Sequence, residues 1–123
     1  MYKRQVIQPT AHLIRLLYGE GRRIILLTGR GERVREATET WLEHNQIPFD
    51  ELIMRSEGDR RPAWVVKMQK INREMFSPQN TFCIFEDEPE TVSKMRAQGF
   101  IVYDPLEWKD GWEAVNEGGK DHV

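Results

Sequence analysis

Four short apolar runs alternate with segments of helical spacing, and this alternation restricts the possible folds more than any other feature. The runs are Ile24-Ile25-Leu26-Leu27, Leu52-Ile53-Met54, Phe82-Cys83-Ile84-Phe85 and Phe100-Ile101-Val102-Tyr103. Each reads as a strand, and the first, a continuous apolar run, suits one buried on both faces, as in a parallel sheet. A helix opening at Pro9 precedes them, with Leu13, Ile14 and Leu17 as core positions and Gly19 and Gly21 as its stop. From Glu32 to about Asn45, Val34, Ala37, Trp41 and Leu42 predict a second helix, which Ile47-Pro48 ends. Ser56 to Arg61 forms a polar, basic loop, and Pro62 opens a helix with Trp64, Met68, Ile71 and Met75 on its inner stripe. Ser77-Pro78 ends it. Pro89 opens a fourth helix with Val92 and Met95 inward and Gly99 as its stop. The order implies an α/β domain with a parallel sheet and right-handed crossovers.

Composition narrows the function classes. A chain of 123 residues is the size of one domain, and no repeat or low-complexity linker divides it. No apolar stretch approaches the length a bilayer demands, and no secretory signal opens the chain. One cysteine, Cys83, allows no intrachain disulfide and makes the reducing cytoplasm the default compartment. The three histidines stand at 12, 44 and 122, without zinc-ligand spacing. A net charge of −2 argues against general coating of DNA, but the charge is uneven. Residues 1–82 carry 14 Lys/Arg against 10 Asp/Glu, and residues 83–123 carry 4 against 10. The first part suits an anion and the second a cation, or else these are two solvated faces.

In parallel α/β sheets, ligands bind beyond the carboxyl ends of the strands. Here those ends carry Thr28-Gly29-Arg30, Arg55, Glu86-Asp87 and Asp104. Glu86 and Asp87 are hard oxygen ligands suited to Mg²⁺, although Asp87, just ahead of Pro89 and Glu90, also fits a helix cap. Thr28-Gly29-Arg30-Gly31 offers a hydroxyl, backbone N–H groups and a guanidinium for a phosphoryl group, or else it is an ordinary strand-to-helix turn. It is no Walker loop. Lys67, on the first turn of its helix, could supply a point charge to a phosphate or stand as a solvated surface lysine. Arg30, Arg33, Arg55, Arg60 and Arg61 could line one rim, with solvation as the simpler role for Arg60 and Arg61. Trp108 and Trp112 could stack on bases, with packing of a short C-terminal helix as the simpler role, and Glu117 to Val123 is expected to fray.

These residues resemble the haloacid dehalogenase (HAD) superfamily. The resemblance rests on Ile24 to Arg30, then Glu39-Thr40-Trp41-Leu42 and Ile47 to Leu52. Within that superfamily the chain is similar to the phosphatase domain of phage-type polynucleotide kinase/phosphatase. The narrower match lies in Met54-Arg55, Gly58-Asp59-Arg60-Arg61-Pro62, Val65-Val66-Lys67, Phe85-Glu86-Asp87 and Met95 to Gly99. It covers about Ile7 to Tyr103 and implies a HAD-like, Rossmannoid three-layer αβα fold. It also implies a Mg²⁺-dependent phosphatase acting on phosphomonoesters, with nucleic-acid 3′-phosphates as the expected substrate. Thr28 would bind a phosphoryl oxygen, Lys67 would offset charge on the phosphoryl group and nucleophile, and Glu86 and Asp87 would hold Mg²⁺. Gly29, Arg30 and Arg55 would contact substrate. The alternatives are a HAD phosphatase for small phosphomonoesters and a non-catalytic, receiver-like binding module.

The family's first motif, Asp-x-Asp-x-Thr on a central strand, supplies the attacking aspartate and the general acid. No Asp occurs here before Asp50, so that strand is expected to be missing and the chain to be catalytically inert. Ala63 stands where an acid is expected, and Glu88 where an arginine is frequent. Met1 to Gln5 resembles a translated sequencing-library end, so native sequence is expected from Val6, with the partial domain over 6–116 and a tail over 117–123. Raw reads with authentic coding sequence upstream of Met1 would overturn that expectation.

Overall fold

The computed structural model describes residues 8–105. The proposed library-derived residues, the helix around Trp108 and Trp112, and the tail lie outside the described residues. Within them the element order is α1 (Gln8–Gly19), β1 (Ile25–Gly31), α2 (Arg35–His44), β2 (Glu51–Arg55), α3 (Ala63–Arg73), β3 (Ile84–Phe85), α4 (Pro89–Ala97) and β4 (Val102–Tyr103). A turn of 3₁₀ helix over Glu32–Val34 leads into α2. The expected α/β alternation is present, and both strand pairs are parallel. The chain divides into two compact units between Lys70 and Ile71, inside α3.

In the first unit, β1 pairs with β2 in the register Ile25 to Glu51, Leu26 to Leu52 and Leu27 to Ile53. Asp50 fixes the start of that register. Its backbone N–H donates to the Ile24 carbonyl at 2.8 Å, and its Oδ2 accepts from the Ile24 N–H at 2.7 Å. Leu52, Ile53 and Met54 are buried, whereas β1 is half-buried along its whole length rather than covered on both faces. Leu42, Leu52 and Met54 form the core, packed by Leu26, Val34, Trp41, Ile47 and Phe49. Truncating a side chain as buried as Met54 typically costs about 2–5 kcal/mol, because the cavity fills only partly.

Three sequence expectations shift in this unit. On α1 the buried residue is Ala11, while Leu13 is 46% exposed. Residues two apart face roughly opposite sides of a helix, and the Ala11 side also carries Arg15, which donates to the carbonyls of Asn45 and Gln46 at the end of α2. On α2, Thr38 is buried in place of Ala37 because its hydroxyl donates to the Val34 carbonyl at 2.8 Å, which satisfies it without water. Finally, β1 does not stop at Leu27. It runs on to Gly31 through an irregularity that brings Gly31 opposite Arg55. Arg35 then anchors the start of α2 on β2, donating to the Leu52 carbonyl at 2.9 Å while its fork holds Glu32 at 2.7 and 3.0 Å.

In the second unit, β3 and β4 pair at Ile84 to Val102 and Phe85 to Tyr103. Both are shorter than their apolar runs suggest, since only two residues of each enter the ladder. Val92 and Met95 on α4 are buried as expected, with Phe100 and Val102. Gly99 ends the α4 turn at φ +97°, a conformation open to glycine and strained for other residues. Met75 does not join the inner stripe of α3. The helix closes at Arg73, and Met75 turns away at φ 62° and is 79% exposed.

Candidate active site

Parallel pairing puts the carboxyl ends of paired strands at the same edge, so each unit brings together the residues that follow its own strands. In the first unit these are Thr28, Gly29 and Arg30 from β1 and Arg55 from β2. The tripeptide is the last stretch of the strand rather than a free turn. The Thr28 hydroxyl oxygen accepts from the Arg30 N–H at 3.1 Å, which curls the backbone and leaves the hydroxyl proton able to donate. Gly29 lies close to α3 and to Arg55. A Cβ there would stand 3.4 Å from the Ala63 Cβ and 3.6 Å from Arg55 Nη2. Arg30 is half-buried, with its Nε shielded from solvent.

Arg55 makes the densest set of contacts at this edge. Its Nε donates to the Gly29 carbonyl at 2.7 Å, and its Nη1 donates to the carbonyls of Asp59 at 3.0 Å and Arg61 at 2.6 Å. The loop it holds is ordered by its own charges. Asp59 accepts from the Arg61 backbone N–H, Nε and Nη2 at 3.1, 2.9 and 2.7 Å. Hydrogen bonding to Arg61, with Arg55 adding attraction, holds the Asp59 carboxyl well below the usual range. Arg61 also donates to Gln69 on α3, and Lys70 donates to the Ser56 hydroxyl at 3.3 Å. Arg61 is therefore part of the loop's internal structure, while Arg60 and Arg33 remain exposed. Lys67 is half-buried in the second turn of α3, beside the fully buried Val66.

In the second unit, Glu86 and Asp87 follow β3, and the Glu86 N–H donates to the Tyr103 carbonyl at 3.1 Å. Glu86 Oε2 accepts from the N–H groups of Asp87 at 3.1 Å and Glu88 at 3.0 Å. The capping arrangement weighed for Asp87 belongs instead to Glu88. Its carboxylate accepts from the N–H of Glu90 at 3.1 Å and of Thr91 at 2.9 Å, and from the buried Thr91 hydroxyl. The signal was present in the sequence: Pro89 opens the helix, so the residue just before it is the cap. The Asp87 carboxylate receives no hydrogen bond or ion pair among the described residues, which leaves it available to a ligand.

The described residues contain no group of three or more metal-ligating side chains. Two adjacent carboxylates suit Mg²⁺, which is commonly held by one or two of them together with water. The donor set fits that ion. Asp59 and Glu88, both structurally central, had no assigned role in the sequence reading; the Asp-x-Arg and Glu-Pro spacings were the available signals. No helix among the described residues is long and apolar enough to cross a membrane.

Known proteins resemble this arrangement. A family model for the polynucleotide kinase PNKP phosphatase domain matches residues 2–104. The chain belongs to that family. The PNKP-type phosphatase domain is also similar in fold to a chain in a structure described as the Pnkp1/Rnl/Hen1 RNA repair complex, with a TM-score of 0.72 and 25% identity over 81% of this chain. A second structure, of a Pnkp1/Rnl/Hen1 complex, gives a TM-score of 0.75 and 26% identity over 81% of this chain. The PNKP-type domain spans only about a third of each of those longer chains, 32% and 35%. No curated protein matches it.

Proposed function

We propose that this PNKP-type domain binds polynucleotide 3′-phosphates and serves their Mg²⁺-dependent hydrolysis. The observation that carries the reading is the end of β1, where a hydroxyl, curled backbone and a half-buried arginine stand together. Thr28 donates its hydroxyl proton to a phosphoryl oxygen, and the backbone at Gly29 with the Arg30 guanidinium supplies positive potential. Arg55 stands at the same edge, where its Nε holds the Gly29 carbonyl. Lys67 offsets charge on the phosphoryl group. Glu86 and Asp87 would hold Mg²⁺, which supplies Lewis-acid stabilisation of phosphoryl oxygens when bound. The RNA repair setting named for one structural relative supports a nucleic-acid end over a small phosphomonoester, as does the exposed Arg60 beside the ordered loop. Because no Asp precedes Asp50, the chain's own residues bind and orient the phosphate, and the attacking carboxylate is not among them.

The test is a binding comparison between otherwise identical oligonucleotides ending in 3′-phosphate and 3′-hydroxyl. The expected result is a preference for the phosphate of about tenfold, lost on Thr28→Val as one charge-assisted hydrogen bond is removed. Equal affinity for the two ends would refute the reading.

A further inference from the structure

A guanidinium grips phosphate best along an edge that presents two parallel N–H groups. On Arg55, Nε serves Gly29 on β1, and both protons of Nη1 serve Asp59 and Arg61 in the following loop. Each bidentate edge includes Nε or Nη1, so neither edge remains whole for a ligand. The three carbonyls come from two different segments, and Arg55 is the side chain that joins them. Asp59 and Arg61 close the loop from within, and Gly58 permits its tight turn at φ +82°.

We propose that Arg55 is a positioning residue. It couples the Thr28–Gly31 segment to the 56–62 loop, so the phosphate-binding end of β1 holds its shape only while that loop is closed. Ordering in one segment then propagates to the other through three hydrogen bonds, without Arg55 touching the phosphate. The claim rests on the 3′-phosphate reading for its binding measurements alone.

The experiment combines amide hydrogen exchange with binding of a 3′-phosphorylated oligonucleotide to the full chain. Arg55→Lys keeps the charge and removes the fork. The expected result is about tenfold weaker binding, with faster exchange in residues 29–31 and 59–61 together. In Arg55→Gln the slope of log affinity against log salt stays at the wild-type value, because no phosphate contact is lost. Gly58→Ala tests the coupling from a distance: its Cβ would meet nothing within 4 Å, but the φ is strained, so the loop loosens without touching the grip. Exchange at residues 29–31 is expected to rise in that variant too. Wild-type binding by Arg55→Lys, a salt slope reduced by about one in Arg55→Gln, or exchange confined to the loop in Gly58→Ala would each overturn the proposal. If wild type shows no preference for 3′-phosphate, the functional reading fails, while the exchange measurements still decide the coupling.

Discussion

Two neighbouring carboxylates at the end of β3 differ in role because of a single hydrogen-bond pattern. Glu88 accepts from two backbone N–H groups and a buried hydroxyl at the start of α4, whereas the Asp87 side chain accepts from none among the described residues. Glu88→Ala removes the cap and strands the buried Thr91 hydroxyl. The expected cost is about 1–3 kcal/mol of stability, read as a lower Tm, with Mg²⁺ affinity retained. Asp87→Asn is expected to do the reverse, losing Mg²⁺ binding in titration calorimetry while stability stays within about 0.5 kcal/mol. Equal loss of metal affinity in both variants would show that the acids act as one cluster. Sequence spacing offered the helix cap to Asp87, and it belongs to Glu88. Side chains at adjacent positions are separated by geometry, and only the helix start at Pro89 carried the answer.

At the scale of elements, apolar runs located the strands and helical spacing the helices among the described residues, yet several boundaries moved for physical reasons. β1 extends past Leu27 because an irregularity in pairing lets polar Thr28 and Arg30 continue the strand to Gly31. β3 and β4 shrink to two residues each because Phe82 and Ile101, apolar by type, stay outside the ladder and exposed. The 56–62 loop read as a solvated basic run, and it is instead closed by Asp59, Arg61 and Arg55. That closure carries a pH dependence. The Asp59 carboxyl is depressed by its bonds to Arg61, so its contribution is complete above the ordinary aspartate range and is lost as pH falls. Amide exchange at residues 59–61 is therefore expected to accelerate as pH drops below about 4, after correction for intrinsic rates. Asp59→Asn should exchange rapidly already at neutral pH and show no such step. A step that persists in Asp59→Asn would assign the pH dependence to another group.

For the molecule as a whole, near-neutral net charge conceals an uneven distribution. The residues proposed to grip phosphate lie in the basic leading part, and the proposed Mg²⁺ ligands in the acidic trailing part. The sequence made those candidates legible because each follows the carboxyl end of a strand; it could not show that Arg55 and Arg61 are occupied by carbonyls and a carboxylate. With Arg55 and Arg61 held internally, neither adds a phosphate contact, so salt dependence should be moderate. Two or three phosphate contacts imply about a tenfold loss of oligonucleotide affinity between about 50 and 200 mM salt. A steeper fall would show phosphate contacts beyond those proposed. Binding and turnover should also separate in the 123-residue chain. It carries the groups proposed to bind phosphate and Mg²⁺ but no Asp before Asp50. Incubation with a 3′-phosphorylated oligonucleotide and Mg²⁺ is therefore expected to give binding without release of inorganic phosphate. Sustained phosphate release that disappears in Asp87→Asn would establish a nucleophile elsewhere in the chain.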